Sequence, residues 1–148
     1  FKEELFSASK GEGAYLNNER IRVSLSNGLK EALIGTGFPF RHPQHLECYL
    51  ETFKAIYPNV SDIRRAGAAA LDLAYVASGR LDGHWEIGLN SWDIAAGALL
   101  VKEAGGFIGD FSGRNKYLET GNVVAGNSDV YKQILKKIHP HLSEELQR

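Results

Sequence analysis

Methionine is absent from all 148 residues, even from position 1, and cysteine occurs only once, at Cys48. A lone cysteine excludes an internal disulfide and suits a reducing cytoplasm, the compartment expected here. No apolar run approaches the roughly 20 residues that cross a bilayer, so no membrane contact is expected. Neither sign of charge dominates: 17 Lys and Arg stand against 18 Asp and Glu, interleaved along the chain. That balance leaves no broad basic face, and nucleic acid is not an expected partner. Internal repeats, low-complexity tracts and linkers are missing too, which excludes a solenoid or a string of modules.

What is present is apolar material, 43% of the residues, enough for one compact core. The opening FKEELFSASKGEGAYLNNERIRVS sets apolar Leu5, Phe6, Ala14, Leu16 and Ile21 among polar neighbours. Asn17-Asn18 predicts a tight turn between two short strands. A strand pattern from the first residues, without an initiator, reads as the cut edge of a longer chain, and a fragment is expected. A brief apolar strand follows at residues 32–35. Leu46, Tyr49, Leu50 and Phe53 recur at helical spacing and predict a helix stopped by Pro58. RRAGAAALDLAYVASGR predicts a second helix, starting at the arginines and ending at Gly79. DGHWEIG reads as a strand and SWDIAAGALLVKEAGG as a third helix closed by Gly105-Gly106. FIGDFSG and NVVAGN read as short strands. SDVYKQILKKI predicts a last helix capped by Asn127 or Ser128, its lysines where the dipole favours them. This alternation predicts a layered α/β sheet with helices on its faces.

HWEIGLNSWD is a strand-to-helix junction, the kind of place where ligand sites gather in open α/β sheets. It carries two carboxylates, Glu86 and Asp93. Asp93 has a plain reading as a helix cap, because the first turn exposes unpaired N–H groups and the positive end of the dipole. It has another as a cation ligand, because Mg²⁺ is held by one or two carboxylates together with substrate phosphate and water. Spacing alone leaves both open.

WDIAAGALLVKEAGG resembles the C-terminal signature of the inositol monophosphatase family, Mg²⁺-dependent and lithium-sensitive phosphatases. RRAGAAALDLAYVASGRLDGHWEIGL is similar to the bacterial branch in its spacing from Gly-Ala-Ala to Glu to Trp-Asp. LFSASKGEGAYLNNERIRVS resembles the family's central hairpin and GNVVAGN its last strand. The resemblance covers essentially the whole chain. It implies the C-terminal half of a layered αβαβα sandwich: a mixed five-stranded sheet flanked by helices (residues 32–148), preceded by a β-hairpin of the first sheet (residues 1–31). It implies that Asp93 ligates a metal beside the leaving-group oxygen and that Glu86 bonds substrate hydroxyls. Gly67, Ala68 and Ala69 would line the substrate pocket, where small residues let a polar ligand approach the backbone. In the family mechanism water attacks phosphorus in line while a metal steadies the departing alkoxide.

The family's N-terminal glutamate and its Asp-Pro-Ile-Asp-Gly-Thr run, which complete the metal and phosphate site, have no counterpart here. The resemblance therefore implies an isolated chain that neither binds Mg²⁺ tightly nor turns over an inositol-1-phosphate-like polyol phosphate without its missing N-terminal half. A homodimer is implied by the same family. So is an alternative, a protein-binding module in a bacterial transcription complex. Asn90-Ser91 departs from the Lys-Pro found in many bacterial relatives, but leaves the two acids in register.

The remaining polar residues have plainer expectations. His42 and His45 belong to a surface loop and helix start, with no third ligand for zinc. His84 shares a strand face with Glu86 and is a candidate to reach substrate. Asp72 is expected to pair with Arg64 or Arg65. SKGEG lacks the glycines of a phosphate loop, and Cys48 is expected to be buried and inert.

Overall fold

The computed structural model describes residues 2–147. Strands β1 (Phe6–Ser9), β2 (Gly13–Leu16) and β3 (Glu19–Arg20) pair antiparallel in that order. Asn17 and Asn18 turn β2 into β3 at φ 48° and 69°, the left-handed pair that a two-residue hairpin demands and asparagine tolerates. The single predicted hairpin is thus two in succession, because SKGEG is itself the β1–β2 turn. Its Gly11 and Gly13 N–H groups donate to the Glu103 carboxylate at 2.8 and 2.9 Å. These two bonds hold Glu103 below its ordinary pKa. The turn cradles an anion after all, but one belonging to the chain.

The second sheet contains β4 (Leu33–Thr36), β5 (Asp62–Arg64), β6 (Gly83–Glu86), β7 (Phe107–Gly109) and β8 (Val123–Gly126) in the order β5-β4-β6-β8-β7. β4 runs parallel to β5 and β6, whereas β8 runs antiparallel to β6 and β7. This is the mixed five-stranded sheet that the resemblance implied. β5 was not expected: it is a three-residue, largely exposed edge with no apolar period, so Arg64 ends a strand instead of starting a helix. Around the sheet lie α1 (Leu46–Ile56), α2 (Ala69–Ala77), α3 (Ser91–Glu103), the single-turn α4 (Tyr117–Thr120) and α5 (Ser128–Ile138). Among the described residues no helix is long and apolar enough to cross a membrane.

Alternation along the strands sorts the core into two layers. Val123 and Ala125 join the layer under α2 and α3, together with Leu73, Ile94 and Val101. Val124 and Trp85 join the opposite layer, with Ile34 and with Tyr49, Ile134 and Ile138 of α1 and α5. Ala14 of β2 is fully buried in the first layer, so the three-stranded sheet packs onto α3. Asn127 caps α5, accepting from Asp129 and Val130 N–H at 3.0 and 2.9 Å. Its amide also donates to the Ser24 and Ser26 carbonyls, tying down the segment that joins the two sheets.

Helices α2 and α3 touch closely because Gly97 has no side chain: a Cβ there would lie 2.5 Å from Leu73 Cβ. That neighbouring atom cannot swing away without moving its helix. Gly97→Ala should therefore destabilise the protein by about 1–3 kcal/mol, as overpacking does, read as a lower urea midpoint.

Candidate active site

Parallel strands β4 and β6 end side by side, Thr36 pairing with Trp85. Past these ends the chain leaves β4 through residues 37–41, enters α2 through 65–68 and enters α3 through 87–90. The three segments enclose a cavity of about 260 Å³. This is where an open α/β sheet puts a ligand, beyond the carboxyl ends of its parallel strands. Glu86, Asp93, Gly67, Ala68 and Ala69 all line it.

Asp93 is the third residue of α3, not its cap. The cap position belongs to Asn90, whose backbone N–H donates to Asp93 Oδ2 at 3.1 Å, the returning bond of a capping box. Arg41 Nη1 lies 3.4 Å from the same oxygen. Among the described residues Oδ1 has no hydrogen-bond partner. The two readings of Asp93 are therefore compatible, one oxygen serving the helix and the other left for a ligand.

Glu86 closes β6 with its side chain 14% exposed and Oε2 3.1 Å from His84 Nε2. A Cβ on Gly37 would collide with its Oε1, so the carboxylate rests on bare backbone. Gly67 has φ +93°, a left-handed turn that favours glycine. Ala68, at the α2 cap position, has no side-chain acceptor. The N–H groups of Leu71 and Asp72 donate to the Ala68 carbonyl, which leaves those of Ala69 and Ala70 to face an anion, helped by the helix dipole.

Phe38, Phe40 and Arg41 of the wall were not singled out from the sequence, and Arg65, expected to pair with Asp72, joins them there. The Arg65 guanidinium sits over both rings, 5.7 Å from Phe38 and 5.3 Å from Phe40. The available signal was FPFR directly after a buried strand, at the end where ligands bind. Opposite charges thus share the wall, two guanidiniums and two carboxylates.

Behind Glu86 the donor atoms of Asp72, His84 and Glu86 lie within 4.8 Å of one another. Asp72 is 2% exposed, and burial pushes its carboxyl above the ordinary range. The expected arginine partner is not there, because Arg64 pairs with Asp62 and Arg65 lies over the phenylalanines. His84 shares a face with Glu86 as expected but is fully buried beneath it. His45 is buried too, 3.9 Å from Glu145, contrary to its expected surface position. Cys48 is half-buried and donates to the His141 carbonyl.

Mg²⁺ takes oxygen ligands in octahedral geometry and keeps several waters. The buried trio, with its imidazole, does not fit that preference. Asp93, on the wall of an open cavity, does fit, although one carboxylate is only part of a shell.

The chain matches the inositol monophosphatase family over residues 1–147. It belongs to that family. The Nus factor SuhB of Pseudomonas aeruginosa is 54% identical over 149 residues, covering 99% of this chain and 55% of that protein. Among solved structures, extragenic suppressor protein SuhB from Bartonella henselae superposes with a TM-score of 0.88 at 45% identity, covering 91% of this chain and 52% of that one. Inositol monophosphatase from Anabaena does so at 0.87 and 34% identity, with 93% and 57% covered. The chain thus spans about half the length of the curated relatives it matches. Within the family fold it supplies the five-stranded mixed sheet, its helices and the antiparallel strands before it. The aromatic partner in the family's Trp-Asp pair, Trp92, is 75% exposed, while Asp93 turns back to the cap.

Proposed function

We propose that this chain is the C-terminal half of a cytoplasmic, Mg²⁺-dependent phosphatase that hydrolyses inositol-1-phosphate or a similar polyol phosphate. One observation carries the reading: Glu86 and Asp93 line a single cavity together with the uncapped N-terminus of α2. Each wall group then has a task. The Ala69 and Ala70 N–H groups at the start of α2, with Arg65 and Arg41 nearby, attract the phosphate. Glu86 accepts hydrogen bonds from ring hydroxyls and so sets the orientation of the ester. Asp93 contributes its uncapped oxygen to the metal shell, and a bound Mg²⁺ supplies Lewis-acid stabilisation of the departing oxygen. Water attack on phosphorus needs groups that this chain lacks, which the N-terminal half would bring. In this reading residues 1–31 extend the first sheet of the whole enzyme.

The test is Mg²⁺-dependent phosphate release from inositol-1-phosphate. Joined to an N-terminal half carrying the Asp-Pro-Ile-Asp-Gly-Thr run, the chain should release phosphate. Alone it should not, and robust turnover by the chain alone would sink the proposed division of labour. β1 and β3 are both edges of their sheet, and such edges recruit further strands. The chain alone should accordingly dimerise or aggregate, and adding the other half should suppress this.

A second reading has a specific support, the designation "Nus factor" carried by the Pseudomonas relative. In it the chain is a protein-binding module of a bacterial transcription complex. Trp92 and the cavity-lining Phe40, 75% and 74% exposed, are suitable anchors. Asp93→Asn separates the two readings: a phosphatase loses turnover, whereas a scaffold keeps its partner.

A further inference from the structure

We propose that His84 is a positioning residue, a neutral imidazole that donates its Nε2 proton to Glu86 and thereby sets selectivity for polyol phosphates. The inference rests on the role given to Glu86 above. His84 is fully buried, and its two nitrogens have opposite surroundings. Nε2 is 3.1 Å from Glu86 Oε2. Nδ1 has no hydrogen-bond partner and is pressed against β4, where a Cβ on Gly35 would come within 2.9 Å of it.

A proton on Nδ1 would be a buried donor with nothing to receive it, which is costly. A bare Nδ1 is the milder loss. A single proton on Nε2, facing a carboxylate, satisfies the stronger demand, and the ring stays neutral. The bond engages Glu86 Oε2 and turns Oε1, which has no partner among the described residues, into the acceptor offered to a ligand. Asp72 completes the arrangement from α2. It is buried with no hydrogen-bond partner among the described residues, and its carboxyl sits above the ordinary pKa range because of burial. Burial therefore disfavours a second negative charge behind Glu86.

A metal bridging the three donors is the competing account, and the same nitrogen argues against it. A histidine that ligates through one nitrogen almost always donates the other N–H to an acceptor. Here metal on Nε2 would force the proton onto Nδ1, where no acceptor waits.

The test compares the full-length protein with His84→Phe, which keeps a ring but removes the donor, and His84→Gln, whose amide can restore it. His84→Phe should raise KM for inositol-1-phosphate about tenfold, the size of one hydrogen bond, but KM for 4-nitrophenyl phosphate by under ~2-fold. The nitrophenyl ester has no polyol hydroxyls for Glu86 to hold. His84→Gln should recover most of the loss. Equal losses on both esters, or an unchanged KM for the polyol, overturn the assignment. Absence of all hydrolysis by the unsubstituted protein would instead refute the phosphatase reading. Nitrogen-15 NMR of labelled histidine tests the tautomer without any turnover, with a protonated Nε2 and a bare Nδ1 expected at neutral pH. A proton on Nδ1 overturns the proposal, as does stoichiometric Zn²⁺, measured against a chromophoric chelator, that binds the unsubstituted protein but not His84→Phe.

Discussion

On the proposed phosphatase reading, Asp93→Asn in the full-length protein should lower kcat for inositol-1-phosphate by at least ~10²-fold, the scale of losing one preorganised electrostatic group at the reacting centre. The substitution is informative because it removes charge and little else. An asparagine oxygen can still accept the Asn90 N–H that now reaches Asp93 Oδ2 at 3.1 Å, so the first turn of α3 keeps its closing bond. Arg41 loses its ionic partner, but that contact is 3.4 Å long and the arginine side chain is 62% exposed. A pair so exposed contributes under ~1 kcal/mol. Steady-state kinetics and thermal melting of the same preparation check both halves: turnover collapses while the melting temperature hardly moves. Equal activity in the two proteins would reduce Asp93 to a helix-capping residue and favour the transcription-partner reading.

Trp85→Ala should cost about 3–5 kcal/mol, the range for deleting a large buried aromatic side chain. Its ring is fully buried and stacks on Tyr49 with centroids 6.1 Å apart. Its indole N–H donates to Thr52 Oγ1, and the Thr52 hydroxyl donates in turn to the Tyr49 carbonyl. Truncation therefore opens a cavity and leaves a buried hydroxyl short of one partner. Small domains hold only about 5–15 kcal/mol in total, so this loss takes a large share of stability. Urea unfolding followed by circular dichroism measures it, and a change below ~1 kcal/mol would refute the packing argument. The consequence reaches the site. Trp85 lies between His84 and Glu86 on β6, so the residue that anchors the strand on one face aims both site residues from the other.

Much of this could be read along the chain, for local reasons. α1, α3 and α5 announce themselves by apolar spacing and by their end signals, and β4, β6 and β8 by short apolar runs between glycines. What failed was short or polar. β5 is three residues at an exposed edge, α4 is one turn, and β3 is two residues, so none carries a full period. Arg64 was misplaced for that reason, and the expected Asp72–arginine pair went with it. The single-hairpin reading failed because SKGEG was judged against phosphate loops, when its two N–H groups serve a carboxylate ninety residues away on α3.

The sequence by itself determined the family, the order of the principal elements and the placing of Glu86 and Asp93 at one strand-to-helix junction. Each of these depends on neighbours within a turn or two, where backbone sterics, caps and hydrophobic period act. Only the tertiary structure decided that Arg65 lies over Phe38 and Phe40, that Arg41 reaches Asp93, and that Asp72 and His84 stand behind Glu86. Those contacts bring together α2, β6 and the loop after β4, and they exist only once parallel β4 and β6 end at the same level. The Asp93 carboxylate has two oxygens, and only the folded chain shows that the helix engages one of them.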